Sequence, residues 1–189
     1  MIAFWISLFY VFVAEMGDKT QLVALAFATR YPVKTVLTGV FGATLVIHLL
    51  SVFLGEAASS ALPAFWIQLL AGLSFIAFGL WTLRGDELDE DGEKSETRFG
   101  PLMTVAATFF LAELGDKTML ATITIASQYR SFVGVWLGSV LGMVLADGLA
   151  IIVGSVMGKR LPERAIKYGA AATFILSGLF TLYAAWTRH

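Results

Sequence analysis

The sequence predicts an all-α membrane protein with six transmembrane helices, arranged as two inverted repeats of three helices each. Three observations lead to this fold. The 189 residues are 58% hydrophobic with a mean hydropathy of +0.79, well above the balance of a soluble domain. Apolar stretches long enough to cross a bilayer fill most of the chain. One six-residue acidic motif occurs twice, once in each half.

A helix needs about 20 largely apolar residues to cross a bilayer. Polar or proline-containing breaks such as Arg30-Tyr31-Pro32 and Gly100-Pro101 separate the apolar stretches. The predicted helices cover residues 2–28, 35–57, 64–84, 101–127, 131–157 and 165–187. The first stretch contains acids and has no basic leader, so we expect it to remain in the mature protein rather than to be a cleaved signal peptide.

The long polar stretch between Arg84 and Arg98 holds seven acids and divides the chain into two halves. We therefore assign residues 1–84 to a first three-helix repeat, 85–100 to an acidic linker and 101–189 to a second repeat. The halves align with each other, because Glu113 follows Glu15 by 98 positions and Phe174 follows Phe75 by 99. Three spans are an odd number, so the second repeat must enter the membrane from the opposite side.

Basic residues concentrate on one side of this six-span arrangement, and the positive-inside rule assigns that side to the cytosol. The basic residues on that side are Arg30, Lys34, Arg84, Lys94, Arg98, Lys159, Arg160, Arg164 and Lys167. The opposite side has only Arg130 and Arg188. We expect a multi-pass protein with both termini outside the cytosol and the acidic linker inside.

Overall charge and cysteine content exclude several classes of function. A net charge of -1 provides no basic surface for nucleic acid, which we do not expect as a partner. The chain has no cysteine, which argues against structural zinc, iron-sulfur and soft copper sites. Any bound metal must be held by oxygen or by histidine nitrogen.

The repeated motif reads Glu15-Met16-Gly17-Asp18-Lys19-Thr20 in the first half and Glu113-Leu114-Gly115-Asp116-Lys117-Thr118 in the second. Each copy lies about 13 residues into its predicted helix, near the bilayer centre at about 1.5 Å per residue. Charged groups at that depth are costly unless they pair or bind something, so they indicate function. If the chain is helical there, the two acids of each copy share one face.

We therefore predict a metal site made of Glu15, Asp18, Glu113 and Asp116. Thr20, Thr118 and Gln21 are candidate neutral oxygen donors, and the motif glycines can let the helix unwind and offer carbonyls. Lys19 and Lys117 can pair with Glu15 and Glu113 at i,i+4 in the empty site or tune the pKa values of the carboxylates, and we do not expect them to bind metal. The structural alternative is that acids and lysines only hold the two helices together through ion pairs.

Formal charge suggests how the site works. Four acids and two lysines sum to minus two, which one divalent cation or two protons would neutralise. Binding of one should therefore release the other, which is the physical basis for exchange. Oxygen ligation suits magnesium, calcium or manganese.

Two more ionisable residues, His48 and Asp147, occupy equivalent positions in the second helix of each repeat. A histidine titrates near pH 6.5, so the pair is a candidate proton relay. The alternative is a neutral histidine and a hydrogen-bonded aspartate that only connect helices. Gly134, Gly138 and Gly142 lie on one face of the fifth helix, where they predict close helix packing.

With these two motifs, the sequence resembles the GDT family of membrane cation/proton exchangers over nearly its whole length. The family signature, E-x-G-D-[KR]-[TS] once in each half around an acidic central loop, matches both copies here. The resemblance implies that Glu15, Asp18, Glu113 and Asp116 bind a transported cation, and that manganese or calcium moves against protons as substrate, with no resident cofactor. The compact chain resembles bacterial members, which implies a manganese exporter of the plasma membrane.

Two other functions remain open from the residues alone. A passive divalent cation channel also uses intramembrane acids to select its ion. An intramembrane aspartyl hydrolase would use Asp18 and Asp116 as a dyad, but it gives no role to the repeated glutamates and lysines. We expect a transporter, not an enzyme.

Overall fold

A computed structural model of the chain describes residues 1–16, 18–84, 100–157 and 163–187. These residues form eight helices and no strand. The helices are α1 (Ile2–Glu15), α2 (Lys19–Arg30), α3 (Val33–Ala61), α4 (Ala64–Arg84), α5 (Pro101–Glu113), α6 (Lys117–Tyr129), α7 (Phe132–Met157) and α8 (Glu163–Thr187). The predicted all-α class is confirmed. Gly17 and nearly all of the predicted acidic linker, residues 85–99, lie outside the described residues.

Among the described residues, four helices are long and apolar enough to cross a membrane by length and composition. They cover Val33–Ala61, Ala64–Leu83, Phe132–Val153 and Lys167–Thr187. Helices α1 and α5 are apolar but shorter, with 14 and 13 residues. The structure therefore supports the second and third predicted helix of each half as single helices.

The first and fourth predicted helices differ from the expectation. The prediction of one continuous helix over 2–28, and another over 101–127, is wrong at the motifs. Helix α1 ends at Glu15 and α2 begins at Lys19, while α5 ends at Glu113 and α6 begins at Lys117. Each motif is therefore a short connection between two half-helices.

The sequence of the motif explains this break. In the second copy, Leu114 has φ -69° and ψ 109°, and Gly115 has φ +83°. The Asp116 N–H donates to the Glu113 carbonyl at 3.1 Å, which closes the turn. This geometry is that of a type II turn, whose third position favours glycine because φ is positive there. In the first copy, the Asp18 N–H makes the same bond to the Glu15 carbonyl at 3.0 Å.

Close contacts at glycines hold the broken helices in the bundle. A Cβ added at Gly138 of α7 would lie 2.3 Å from the Phe4 carbonyl oxygen, and one at Gly142 would lie 2.6 Å from that of Leu8. No side chain fits there, so α1 rests directly on the glycine face of α7. The predicted packing role of this face is confirmed at these two positions.

The same contact recurs in the other half. Gly39 of α3 is the sequence counterpart of Gly138, and a Cβ there would lie 2.7 Å from Cγ1 of Val105 in α5. Helix α5 therefore packs on α3 much as α1 packs on α7. These contacts hold α1 and α5, the helices that lead into the motif turns, inside the bundle.

Candidate metal site

The two motif turns meet in the interior of the bundle. One carboxylate oxygen from each of Glu15, Asp18 and Glu113 lies within 4.8 Å of the other two. All three residues are buried, and they come from both halves of the chain. Oxygens bound to one cation at up to ~2.6 Å lie no more than about 5 Å apart, so this spacing fits a shared cation.

The ends of the half-helices place partial backbone charges next to the buried acids. Glu15 and Glu113 are the last residues of α1 and α5, and a helix C-terminus carries partial negative charge from its unpaired carbonyls. Asp18 and Asp116 are the N-cap residues of α2 and α6, where partial positive charge favours a carboxylate. In each turn the helix C-terminus thus favours a cation, and the helix N-terminus favours the aspartate carboxylate beside it.

Threonine hydroxyls orient the two glutamates. The Thr118 hydroxyl donates to Glu113 Oε2 at 2.5 Å. In the first copy, the Thr20 hydroxyl donates to Glu15 Oε1 and lies 3.4 Å from Asp18 Oδ2. The other oxygens, Glu15 Oε2 and Glu113 Oε1, are buried and have no hydrogen-bond partner among the described residues. Each threonine thus fixes one carboxylate oxygen and leaves the second available to a ligand.

Lys117 makes an ion pair between the two motifs. Its Nζ lies 2.7 Å from Asp18 Oδ1, and both side chains are buried. The predicted i,i+4 pair was with Glu113 instead. The difference follows from the turn, because Glu113 ends one helix and Lys117 begins the next, so they do not share a helix face. The side chain of Lys19 lies outside the described residues.

Asp116 lies outside the group of three acids. It is buried, and neither of its carboxylate oxygens has a hydrogen-bond partner among the described residues. The structure therefore groups three of the four predicted ligands. Asp18 pairs with Lys117 and lies in the group with Glu15 and Glu113. An aspartyl dyad would require Asp18 to lie beside Asp116, and Asp116 is not in that group.

Asp147 and Gln21 lie on the two sides of a contact between α7 and α2. The Gln21 Nε2 donates to the carbonyl of Ala146 at 3.2 Å, next to Asp147 in the chain. Asp147 is fully buried, and neither of its oxygens has a hydrogen-bond partner among the described residues. The structure thus places Gln21 beside the segment that carries Asp147, with its amide nitrogen directed to the α7 backbone.

His48 connects to the second motif through residues that the sequence analysis missed. Its Nδ1 lies 3.1 Å from the Thr122 hydroxyl, which donates to the Thr118 carbonyl at 2.9 Å and lies 3.3 Å from Ser139 Oγ. The Nε2 atom is buried without a partner among the described residues. Thr122 follows Thr118 by four positions on α6, and this helical spacing was the signal available in the sequence.

Comparison with known protein families gives two matching segments, one in each half of the chain. The family model for the divalent cation/proton antiporter GDT1 matches residues 3–90 and 101–189. No solved structure matches the chain.

Relatives resemble the chain over nearly its full length. A protein of Vibrio cholerae named "Putative manganese exporter" is 35% identical over 94% of this chain and 89% of its own. GDT1-like protein 4 of Arabidopsis thaliana is 32% identical, with 92% of each chain covered. A GDT1-like protein of a Synechocystis strain is 31% identical, with 98% of each chain covered.

Proposed function

Because this chain belongs to the GDT1 family of divalent cation/proton antiporters, we propose that it exchanges manganese for protons and exports the metal from the cytosol. Calcium is the alternative cargo, since it accepts the same oxygen ligands. The name of the Vibrio cholerae relative supports manganese and the outward direction. On this proposal the protein lies in a bacterial plasma membrane, and the cation is substrate rather than cofactor.

The observation that carries the proposal is the buried group of Glu15, Asp18 and Glu113, drawn from both halves. Carboxylates this close in a dry site need a cation or protons to balance their charge. A divalent ion that enters the site displaces protons, and protons that return expel the ion. Exchange follows because the two forms of the site are alternatives.

Each residue of the site has a distinct task in this proposal. Glu15, Asp18 and Glu113 bind the cation, and Asp116 joins them from its nearby turn. Thr20 and Thr118 hold the glutamates in place. Lys117 pairs with Asp18 in the empty site and moves away when the cation arrives. Its ammonium group thus takes the place of the cation while the site is empty.

The membrane arrangement that we propose keeps six spans. Helices α1 and α2 together form the first span, and α5 and α6 together form the fourth, each interrupted at its motif. Equivalent contacts at Gly39 and Gly138 support two inverted repeats. Broken helices that meet at mid-depth are a recurrent way to build an ion site in transporters. The basic residues then set both termini outside.

His48 and Asp147 are proposed to relay protons to the site. His48 reaches the second motif through Thr122, and its second nitrogen is available to a proton donor.

We expect His48→Gln and Asp147→Asn to slow proton-coupled transport while metal affinity changes less than about threefold, because neither residue is among the proposed ligands. Ser51→Ala, which removes only a bond within α3, is the control. Normal transport in both variants, measured in proteoliposomes, would remove the relay from the proposal.

Flux in proteoliposomes tests the main proposal. An imposed pH gradient should drive manganese uphill in a saturable way, and manganese flux should move protons. Glu15→Gln and Glu113→Gln should each reduce transport by at least tenfold, since each removes a ligand and a negative charge. Folding is checked by gel filtration and thermal unfolding. Flux that only dissipates the manganese gradient would identify a channel, and near-normal exchange in the double variant would refute the site.

A further inference from the structure

A cavity of about 490 Å³ opens at one end of the bundle. Its wall combines the middle of α1, the first and middle parts of α4, the end of α6 and the second half of α8. The residues that line it with polar groups are Tyr10, Gln68, Gln128, Tyr129, Ser177 and Thr181. A single water needs only ~15 Å³ of such space, so the cavity can hold many waters.

Polar side chains in the wall of this cavity need hydrogen-bond partners that lipid cannot supply. The Gln128 Nε2 is buried and has no hydrogen-bond partner among the described residues. Tyr10 uses its hydroxyl to bond Ser177 Oγ at 2.5 Å, across the cavity wall from α1 to α8. Water inside the cavity would satisfy these groups, whereas an acyl chain would leave Gln128 unpaired.

One face of α6 connects the cavity to the acids. Thr118, Ile125 and Tyr129 are separated by seven and four residues, so at 3.6 residues per turn Ile125 and Tyr129 lie about 20° to either side of Thr118 on one face of α6. Thr118 bonds Glu113, while Ile125 and Tyr129 line the cavity. The distance from Thr118 to Ile125 along the helix axis is about 10 Å.

The inner end of the cavity is closed by apolar side chains. Ile125 is fully buried. Phe75 lines the cavity, stacks on the Tyr10 ring at 5.2 Å between centroids and contacts the Phe174 ring in a tilted arrangement at 6.1 Å. The opposite end of the bundle is packed by a separate apolar cluster that includes Val36, Val105 and Phe109.

We propose that this cavity is a water-filled vestibule that gives ions access to the acids from the side of the membrane where the N-terminus lies, and that Ile125 closes its inner end. The proposal rests on the transport function given above, for which it supplies one half of the path. In this state one apolar layer separates the acids from the vestibule on the N-terminal side. The other side is closed by the cluster around Phe109.

Cysteine accessibility tests the vestibule without relying on transport, because the chain has no cysteine of its own. Gln128→Cys and Thr181→Cys should react with a charged, membrane-impermeant thiol reagent added on the side of the N-terminus. Leu179→Cys is the matched control, since Leu179 lies on the same part of α8 but is exposed outside the cavity. Labelling at least tenfold faster than the control is expected. Equal, slow labelling at all three positions would overturn the vestibule and indicate a lipid-filled crevice.

The inner layer is tested by volume changes at Ile125. Ile125→Ala should raise manganese flux that is not coupled to protons severalfold, whereas Ile125→Leu, of similar volume, should not. No added leak in a folded Ile125→Ala protein would refute its role as the closure. If exchange is absent while the two cysteines label rapidly, the proposed function fails and the vestibule remains. If Ile125→Ala does not fold, the labelling result decides alone.

Discussion

The two threonines of the motifs show how a single neutral side chain can control a buried carboxylate. Thr118 holds Glu113 Oε2, and Thr20 holds Glu15 Oε1, so the opposite oxygen of each glutamate is left without a partner among the described residues. A charged acceptor strengthens such a bond to roughly 1.5–3 kcal/mol. The threonines therefore limit how the glutamates rotate, which prepares the site for an ion before it binds.

Replacement of Thr118 by valine, which has nearly the same shape, should weaken manganese binding by about tenfold because the Glu113 carboxylate loses its orienting donor. Calorimetric titration of the detergent-solubilised protein measures this affinity. Thr173→Val is the control, since Thr173 is half-buried on α8 and its hydroxyl bonds only the Gly169 carbonyl of its own helix. An affinity unchanged in Thr118→Val would show that Glu113 does not depend on this bond.

At the scale of elements, the decisive feature is the turn that divides a span into half-helices. Each motif supplies a glutamate at the end of one helix and an aspartate at the start of the next, and the second copy has a glycine, Gly115, at the position with positive φ. The turn brings helix termini, with their partial charges, into the bundle interior. A continuous helix would have no terminus in the bundle interior, and all of its backbone carbonyls there would be bonded within the helix.

Gly115→Ala should therefore damage the site through the backbone alone. Nothing lies within 4 Å of an added Cβ there, but the residue has φ +83°, which costs a non-glycine residue about 1–2 kcal/mol. We expect a lower unfolding temperature and at least tenfold weaker manganese binding. Gly42→Ala is the control, since Gly42 lies within α3 with open space around its Cβ position. The prediction fails if the two variants bind manganese equally well.

For the molecule as a whole, the site joins two halves that are 98 residues apart in sequence. Its acids are shared between the halves, and Lys117 of the second motif neutralises Asp18 of the first. Neither half contains the group of three acids alone. Binding of a cation should therefore stabilise the complete fold by linkage, and protons should oppose it.

Manganese should raise the unfolding temperature of the purified protein more at pH 8 than at pH 6. The sign follows from competition, since a higher pH removes protons from the carboxylates that the metal needs. Affinity should increase by up to about tenfold per pH unit for each proton displaced. Thermal unfolding with and without manganese measures the shift. Glu113→Gln is expected to abolish it, and a shift that does not depend on pH would argue against proton release.

The sequence by itself determined the class of the protein and indicated the candidate site residues. Hydropathy and length predicted the helices, because a lipid environment demands long apolar segments. The repeated acidic motif identified the candidate ligands. A charged side chain inside a membrane has a high free energy unless it is paired or neutralised, so its presence there indicates a functional site. The glycine in each motif indicated that the helix can unwind there, although the turn itself was not predicted.

Only the tertiary structure decided how those residues meet. Side-chain direction at Glu15 and Asp18 depends on the dihedral angles of the turn, so the helical face predicted for them did not apply. The pairing of Lys117 with Asp18, the separation of Asp116 from the group of three acids and the link from His48 to Thr122 join residues far apart in sequence. Such contacts depend on how whole helices pack, and no local pattern in the chain encodes them.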